Sequence, residues 1–366
     1  MSNKSDVIII GGGAVGLSLA YNLLRQKINT VVLEGTYLNG GATGRNTGII
    51  RPYPQQAIDS GDQNLIELAK KGLSIHQKLS TETGINIFYR KSGCLKIAKN
   101  DEEMKLLERS RQYSEFAIMT PQEISKKWHY LQVKDVMGGS YSPNTASVHP
   151  FSLTWAFIES IKQLGGSVIK QNRVNGITRK DGVYEVTAEK GTYKSDKIVI
   201  ASGIYSSELA KMLDYSVPLN PIRREVLISE PMRPFFGPCI EQIKNNYLVT
   251  QTMRGEILGT TGELTPGLDL DEVSSTFLND FANETLNILP SMENLRIIRQ
   301  WTGVQDTSPD KKPIIGELGD GAYISCGYAD YGITLAPIVG KILSEEIIGK
   351  KQDPLIKEYG PKRFDS

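Results

Sequence analysis

Histidine and cysteine are scarce in this sequence, with three residues of each type among 366. No two cysteines are close enough to form a C-x-x-C motif, and they stand at Cys94, Cys239 and Cys326. Cysteines so far apart predict neither a metal site nor a disulfide framework. The histidines are equally scattered, at His76, His129 and His149, which disfavours a histidine-rich metal centre. We therefore expect no bound metal.

An excess of charge of either sign is also lacking, because 42 lysines and arginines nearly balance 41 aspartates and glutamates. The net charge of +1 gives no electrostatic reason to expect binding to nucleic acid or to an anionic membrane. The apolar run Val7–Ile10 is far too short to span a bilayer, and it ends in a glycine turn rather than at a signal-peptide cleavage site. We expect a cytoplasmic protein without a transmembrane segment, long enough for two domains.

What the sequence does contain is a glycine motif near its start, DVIIIGGGAVG. Val7–Ile10 has the pattern of a strand buried on both faces, and Leu17–Arg25 has helical spacing. In the G-x-G-x-x-G between them, the first glycine allows a tight turn, the second lets the backbone approach a pyrophosphate, and the third lets the helix pack on the sheet. The helix N-terminus then faces the phosphates. The predicted phosphate site is Gly11, Gly13, Ala14, Val15 and Gly16.

An acidic residue ends the second predicted strand, Thr30–Leu33. Glu34 stands where a carboxylate can accept hydrogen bonds from the adenosine ribose hydroxyls. Because an acid at this place disfavours the 2′-phosphate of NADP, the unit predicts a bound FAD or NAD, and it does not separate these two.

A glycine-rich loop, NGGATGRNTGIIR (residues 39–51), follows the second strand. Glycines would let the backbone lie against an aromatic ring system, while Arg45 and Arg51 reach anions. The alternative interpretation of this segment is a flexible connection.

Two later segments repeat the strand–glycine–helix pattern and are expected to return to the first sheet. One is Asp196–Ala201, followed by Gly203, and the other is Ala322–Gly327, followed by a helix from Pro337 to Ile348. We also predict helices at 62–80, 101–116 and 270–289, an antiparallel ribbon at 167–195, and longer strands at 217–229, 247–250, 256–260 and 295–301. The predicted fold is α/β: a Rossmann-like domain of residues 1–85, 145–215 and 305–366, with an inserted antiparallel-sheet (α+β) substrate domain of residues 86–144 and 216–304.

Several blocks in this order resemble the D-amino-acid-oxidase-like flavoenzymes, which include sarcosine oxidases, glycine oxidases and dye-linked proline dehydrogenases. Besides the first motif, the blocks are GGATGRNTGIIR, VHPFSLTWAF, KIVIASGIYSSELA, RQWTGVQDTSPDKKPIIG, ISCGYADYGITLAPIVGKILSEEI and YGPKRF. The sequence is most similar to the catalytic subunits of sarcosine oxidase and dye-linked L-proline dehydrogenase. The resemblance implies FAD rather than NAD.

The resemblance also implies roles for individual residues. Arg45 and Asn46 fall where the family's loop lies along the flavin, and Arg51 falls where an arginine binds the substrate carboxylate. The alternative for Arg51 is a structural salt bridge. The implied cofactor contacts outside the first motif are Thr43, Gly44, Arg45, Asn46, Thr47, Val174, Ala201, Gly203, Gly327, Tyr328, Gly332, Ile333 and Thr334.

The sequence departs from the family at two positions that matter. Thr334 replaces a lysine that helps sarcosine oxidases to hold the carboxylate, so another partner is needed, and we expect Arg254 or Tyr247. Ile257 falls where sarcosine oxidases carry an oxygen-activating lysine, which favours a dehydrogenase with another electron acceptor. Gln305 replaces a substrate arginine of glycine oxidases and disfavours that activity.

Tyr247, Tyr331 and Trp301 are candidates for the walls of the substrate cavity or, alternatively, for ordinary aromatic packing.

The mode of FAD attachment and the role of His149 can also be predicted. The glycine-rich loop has no histidine or cysteine for covalent attachment, and Cys326 in a buried strand is expected to be inert, so non-covalent FAD is expected. In some heterotetrameric sarcosine oxidases a histidine near position 149 carries a second flavin at a subunit contact. We prefer the interpretation of His149 as a helix-start residue before Pro150.

These features predict FAD-dependent oxidation of a small secondary amino acid, L-proline or sarcosine, to its imine. The resemblance implies hydride transfer to flavin N5 by a dehydrogenase whose electron acceptor and partner subunits the sequence does not identify. Three alternatives stay open: an oxygen-using oxidase of sarcosine, glycine or a D-amino acid, a non-catalytic FAD-binding subunit of a larger complex, and an NAD-binding dehydrogenase.

Overall fold

The computed structural model describes residues 4–113, 115–270 and 273–364. Helices and strands alternate at the start and end of the chain, as a nucleotide-binding fold requires. The helices are α1 Ala14–Arg25, α2 Gln55–Ser60, α3 Gln63–Thr83, α4 Asp101–Glu108, α5 Pro121–Lys127, α6 Pro150–Gln163, α7 Ser206–Lys211, α8 Phe277–Ile288 and α9 Gly332–Ile347. Among the described residues, no helix is long and apolar enough to cross a membrane.

The strands form two large sheets and one small one. They are β1 Lys4–Ile10, β2 Thr30–Leu33, β3 Ile49–Ile50, β4 Arg90–Lys91, β5 Cys94–Ala98, β6 Ala117–Met119, β7 Gly138–Ser142, β8 Ala146–Ser147, β9 Ser167–Ile169, β10 Val174–Lys180, β11 Val183–Ala188, β12 Gly191–Ile200, β13 Asn220–Ser229, β14 Cys239–Gln242, β15 Leu248–Gln251, β16 Ile257–Thr260, β17 Thr265–Pro266, β18 Ile297–Thr307, β19 Ile314–Gly319 and β20 Ala322–Cys326.

The first sheet is built around the apolar strand β1, which pairs in parallel with β2 on one side and β12 on the other. Its order is β10-β11-β12-β1-β2-β9, and β20 pairs in parallel with the second half of β12. Helices α1, α3, α6 and α9 supply one face of its core. The carboxyl ends of β1, β12 and β20 therefore meet at one edge, where ligands of open parallel sheets bind.

The second sheet has the order β17-β13-β16-β15-β14-β5-β7-β6, with β18 beside β13. Its two faces differ because side chains alternate along each strand. One face, which we call the far face, packs on α8 and contributes Leu95, Ile240, Tyr247, Val249, Ile257 and Leu227 to an apolar core. The other face, the near face, is turned toward the nucleotide domain and carries most of the sheet's polar groups.

The predicted fold class is confirmed, and the differences concern the ends and pairing of individual elements. Helix α9 begins at Gly332, five residues before the predicted start, and contains Pro337. Helix α4 ends at Glu108 and gives way to a 3-10 turn, and α8 begins only at Phe277. Strand β9 pairs in parallel with β2 rather than joining the ribbon of β10, β11 and β12. The predicted domain boundaries stay predictions.

A buried histidine joins α3 to the start of α9. His76 is fully buried, and its Nε2 lies 2.9 Å from the Ile333 carbonyl oxygen, whereas its Nδ1 has no partner. Burial lowers the pKa of His76 from 6.5 to about 4, although the bond to Ile333 opposes that shift. The ring is therefore neutral at pH 7, with Nε2–H donating to the carbonyl, and it fixes the segment that leads to Thr334.

This burial predicts an acid-sensitive stability. The unfolded chain binds a proton at His76 below pH 6.5 and the folded chain only near pH 4, so the free energy of unfolding falls as the pH drops between these values. This lowering of the His76 pKa from 6.5 to about 4 corresponds to a loss of roughly 3 kcal/mol in the free energy of unfolding across that pH range. Urea unfolding at pH 7, 6, 5 and 4 should show a smaller acid loss in His76→Gln than in the wild type. The exposed His129, changed to Gln, is the matched control, and an equal acid loss in all three proteins would contradict the prediction.

Candidate active site

The glycine motif forms a close three-way backbone contact at the end of β1. Gly11 has a φ of 118°, and a Cβ there would lie 2.2 Å from the Ala201 carbonyl oxygen. A Cβ at Gly16 would lie 2.1 Å from the Gly11 carbonyl oxygen. These two glycines therefore let β12 and α1 approach the same turn, as the motif predicts.

Gly13 differs from these two because little of the chain lies beside it. It is the N-cap of α1 and offers no side chain to cap the helix, and a Cβ there would meet only Thr43 Oγ1 at 3.3 Å. The Ala14 N–H already donates to Thr43 Oγ1 at 3.1 Å, which brings the glycine-rich loop over the helix start. Open space beside a glycine at an uncapped helix N-terminus is what close approach of a pyrophosphate needs.

Glu34 lies beside this turn, as predicted. Its Oε2 accepts the Gly12 N–H at 2.8 Å, and its Oε1 accepts the Thr36 N–H and hydroxyl at 2.8 and 2.9 Å. These bonds fix the carboxylate at the end of β2, next to the start of α1. Val174 is the first residue of β10. Just before it, the Asn172 N–H donates to the Glu34 carbonyl oxygen at 2.9 Å, so the start of β10 lies beside the turn after β2. The adenosine end of a dinucleotide fits this corner.

The glycine-rich loop is tied to strand β18 of the second sheet. Residues Ala42–Arg45 form a 3-10 turn that contains Thr43 and Gly44. Arg45 Nη1 donates to the Thr302 carbonyl at 2.8 Å, and Trp301 Nε1 donates to the Arg45 carbonyl at 3.2 Å. Asn46 Oδ1 accepts the Gly48 N–H, which shapes the turn after Thr47. Arg45 and Trp301 thus hold the loop in place, and Trp301, opposite Val226 on the near face, stays a candidate for the cavity wall.

The predicted residues of the last loop also come to this edge. The Gly327 N–H donates to buried Asp306 at 2.6 Å, and the Tyr328 hydroxyl pairs with Ser325. Gly203 follows β12 with a φ of 56°. Gly332 and Ile333 begin α9, and Thr334 Oγ1 accepts the Arg51 N–H at 3.3 Å. The structure thus brings the predicted cofactor residues together, and their contacts with FAD stay predictions.

A buried charged cluster lies between the near face and the nucleotide domain. Arg51 binds Glu241 through Nε, at 3.0 Å, and through a second contact from Nη2. Lys96 Nζ lies 3.6 Å from Glu241 Oε2 and donates to Gln55 Oε1 at 2.6 Å. Burial would raise the pKa of Glu241, but Arg51 and Lys96 outweigh it and hold the pKa at about 2. Arg51 therefore forms a buried salt bridge with Glu241, and its contact with a substrate carboxylate stays a prediction.

A second ion pair adjoins the first. Arg224 of β13 donates through Nη1 to Asp330 Oδ1 at 2.9 Å and through Nη2 to the Asn246 carbonyl at 3.0 Å. Gln305 also donates to Asp330, which lies in the 3-10 turn Ala329–Tyr331 before α9. We call the space bounded by these two ion pairs the chamber. Arg224, Asp330, Glu241 and Lys96 were not predicted from the sequence; strand parity could have indicated the three on strands, whereas Asp330 lies in the turn before α9.

Tyr247 is wrong as a candidate for the chamber. It is almost fully buried on the far face, where its hydroxyl donates to Thr285 Oγ1 at 3.0 Å and its ring packs against Phe281. Arg254 lies in an exposed turn, pairs with Glu256 at 2.9 Å and lines a cleft with Thr47 and Leu258, so its contact with substrate stays a prediction. Tyr331 is where it was predicted, near Asp330, Arg51 and Glu241, and burial raises its pKa well above the usual range, so its hydroxyl stays protonated.

The prediction that Ile257 takes the place of an oxygen-activating lysine chose the wrong residue of β16. Ile257 is fully buried on the far face, opposite Gln251, whereas Leu258 lies opposite Thr250 on the near face. A shift of one residue along a strand exchanges the two faces. The near-face position on β16 therefore still has no lysine, but Lys96 of β5 brings an ammonium group to the same face.

His149 caps a helix, as preferred from the sequence. Its Nδ1 accepts the Ser152 N–H at 3.3 Å at the start of α6. Together with Thr47, Arg254 and the near-face residues Thr250 and Leu258 it lines a cleft beside the glycine-rich loop. Burial lowers the pKa of His149, and the nearby Arg254 lowers it further.

Taken together, these features define a dinucleotide-binding oxidoreductase fold, in which the carboxyl ends of a parallel sheet meet the near face of a second sheet. The family model described as "FAD dependent oxidoreductase" (DAO) matches residues 6–346, and the chain belongs to this family. Its cofactor is therefore FAD, and the alternative of an NAD-binding dehydrogenase is excluded.

Three relatives agree with this assignment over most of their length. The chain is 25% identical to the sarcosine oxidase subunit beta of Rhodobacter capsulatus, over 99% of this chain and 89% of that protein. It is similar to the crystal structure of L-proline dehydrogenase from P. horikoshii, with a TM-score of 0.89 and 27% identity over 100% and 99% of the two chains. The glycine oxidase structure from Geobacillus kaustophilus has the same fold, with a TM-score of 0.90 at 21% identity over 98% and 99% of the chains.

The open space beside Gly13 predicts a selective effect on the cofactor. In Gly13→Ala the new methyl group meets only Thr43 Oγ1 in the protein, so folding should be preserved. A pyrophosphate at the predicted place would meet the methyl group at a cost of about 1–3 kcal/mol, and the Kd for FAD should rise roughly tenfold or more. Titration of apoprotein with FAD measures this effect. Gly41→Ala is the control because its φ is −89° and nothing lies within 4 Å; equal Kd values in the two variants would contradict the prediction.

Proposed function

We propose that this chain is an FAD-dependent dehydrogenase that oxidises a small secondary amino acid, L-proline or sarcosine, to its imine. The observation that carries the proposal is the charge of the chamber. Three cations, Arg51, Lys96 and Arg224, surround two anions, Glu241 and Asp330. The three cations are only partly exposed, so a surplus of one positive charge favours the binding of an anion, and a substrate carboxylate would supply it.

The arginines would hold the carboxylate and orient the substrate. Arg51 is the residue predicted from the sequence, and Arg224 is the second partner that replaces the absent lysine at position 334. Guanidinium groups bind carboxylates through charge-assisted hydrogen bonds of defined direction. The side chains of Leu258 and Val226 on the near face would supply the apolar contacts that a small ring or a methyl group needs.

The proposed oxidation requires few other contributions from the protein. Bound FAD, held without a covalent link, would accept a hydride from the C–H bond next to the nitrogen, and the N–H proton would pass to solvent as the imine forms. The residues of the chamber would position the neutral amine and exclude water, and the reaction needs neither a metal nor a strong protein base. The relatives named as a sarcosine oxidase subunit and an L-proline dehydrogenase support this substrate class.

An oxygen-using oxidase is the second candidate, and Lys96 favours it. A cation near a flavin stabilises the developing superoxide, and Lys96 lies on the near face within the cluster of Arg51 and Glu241. The dehydrogenase is preferred because Glu241 and Gln55 already engage this ammonium group. A non-catalytic subunit has less support, because such a subunit has no need of a charged chamber. One relative is a subunit by name, so we also propose partner subunits for this chain.

Anaerobic reduction of the bound flavin tests the proposed reaction. L-Proline, D-proline, sarcosine, glycine and D-alanine are each mixed with the FAD-loaded protein, and air is admitted after bleaching. We expect fast bleaching by L-proline or sarcosine and slow recolouring in air. Rapid recolouring with stoichiometric hydrogen peroxide would establish the oxidase instead. No bleaching by any of the five would contradict both and favour the non-catalytic subunit.

We predict that Arg224, besides Arg51, binds the substrate carboxylate. Arg224→Met removes charge-assisted hydrogen bonds worth about 1.5–3 kcal/mol, so the KM of the active amino acid should rise roughly tenfold to a hundredfold. The KM of its methyl ester, which has no carboxylate charge, should change far less. Arg254→Met removes the arginine predicted from the sequence, which lines a cleft with Thr47 and Leu258, and is the comparison variant. A larger effect of Arg254→Met would restore the residue expected from the sequence.

A further inference from the structure

Two cysteines and a glutamate meet at one place on the near face. Cys94 of β5 lies directly opposite Cys239 of β14, and Glu241 follows two residues later on the same face. Their ligand atoms, two Sγ and one carboxylate oxygen, all lie within 4.8 Å of one another, and Cys239 Sγ is 3.9 Å from Glu241 Oε1. The wide spacing of these residues in the sequence predicted no metal site, because spacing does not reveal which strands become neighbours.

The geometry points to a binding site for a thiophilic divalent metal ion, of which zinc is the representative, at Cys94, Cys239 and Glu241. Zinc binds thiolates at about 2.3 Å and carboxylate oxygens at about 2.0–2.2 Å, so ligand atoms of a tetrahedral site are about 3.5–3.8 Å apart. Small side-chain rotations would bring the three ligand atoms to these separations. The fourth position would be left for water.

The neighbouring cations do not prevent this binding. Arg51 and Lys96 both contact Glu241, and an added divalent charge beside them would be repelled. However, zinc binds thiolates, so the two thiols release two protons when the ion enters. The local charge is therefore the same before and after binding. This balance favours zinc over calcium or magnesium, which prefer oxygen ligands and do not displace thiol protons.

The site is connected to the chamber through Glu241. Cys94 and Cys239 are almost fully buried, whereas the side chains of Arg51 and Lys96 are 17% and 19% exposed, so an ion would enter from the chamber. A metal ion on Glu241 would compete with Arg51 for the carboxylate. The following consequence, unlike the metal site itself, rests on the proposed function. Zinc bound at Glu241 displaces Arg51 from its present position and inhibits substrate oxidation.

Zinc binding can be measured directly and without activity. FAD-loaded protein, kept reduced with a phosphine, is titrated with zinc against a chromophoric chelator, and the complex is weighed by native mass spectrometry. We expect one zinc per chain in the wild type and an affinity at least about tenfold weaker in Cys94→Ser and in Cys239→Ser, since even outer-shell changes cost about 10–100-fold. Cys326→Ser is the matched control because Cys326 is equally buried but lies in the first sheet.

The outcomes separate the site from the proposed reaction. No zinc per chain, or equal affinity in all four proteins, overturns the metal site. Cys94→Ala and Cys239→Ala replace any serine variant that loses its flavin spectrum. Zinc binding that depends on both cysteines but leaves flavin reduction by substrate unchanged overturns the inhibition and supports the site. If no amino acid bleaches the flavin, the proposed function fails, and the zinc titration still decides the site.

Discussion

The buried ion pair between Arg51 and Glu241 is the contact on which the arrangement of the active site depends. Arg51 ends the glycine-rich loop directly after β3, its N–H donates to Thr334 in the first turn of α9, and its guanidinium binds Glu241 of the second sheet. One residue thus joins the three segments that surround the flavin position. Removing one partner of such a pair leaves an uncompensated buried charge, at a cost of about 3–5 kcal/mol. The chamber therefore forms only when the two sheets pack against each other in this arrangement.

The nucleotide half of the site could be predicted almost completely from the sequence, because its determinants are local. Gly11 and Gly16 lie where an added Cβ would overlap a backbone oxygen, and Gly13 lies where it would not. Glycine spacing encodes these differences within six residues of chain. Glu34 likewise follows its strand directly. Local geometry of this kind is independent of how distant strands pair, and the family resemblance then identified the dinucleotide as FAD.

The substrate half could not be predicted in the same way, because it depends on strand parity and on pairing between distant segments. Tyr247 and Ile257 were assigned to the site, yet both belong to the far face, and the residues on the near face are Leu248 and Leu258. Arg224 and Asp330 are 106 positions apart, and Arg51 and Glu241 are 190 apart. Nothing in the sequence marks such pairs, whereas the register of β13 with β16 and of β14 with β5 fixes them.

The same parity explains why redox preference, substrate binding and metal affinity are linked in this protein. Lys96, Cys94, Cys239 and Glu241 share the near face because Cys94 is opposite Cys239 and Lys96 is opposite Glu241. An ammonium group that would favour oxygen is therefore held by the carboxylate that also binds Arg51. Any change that frees Lys96, such as a metal ion drawing Glu241 toward the thiols, would alter the charge presented to both substrate and oxygen. Under the proposed function, the acceptor preference would therefore depend on how Glu241 is shared, rather than on the presence or absence of one lysine.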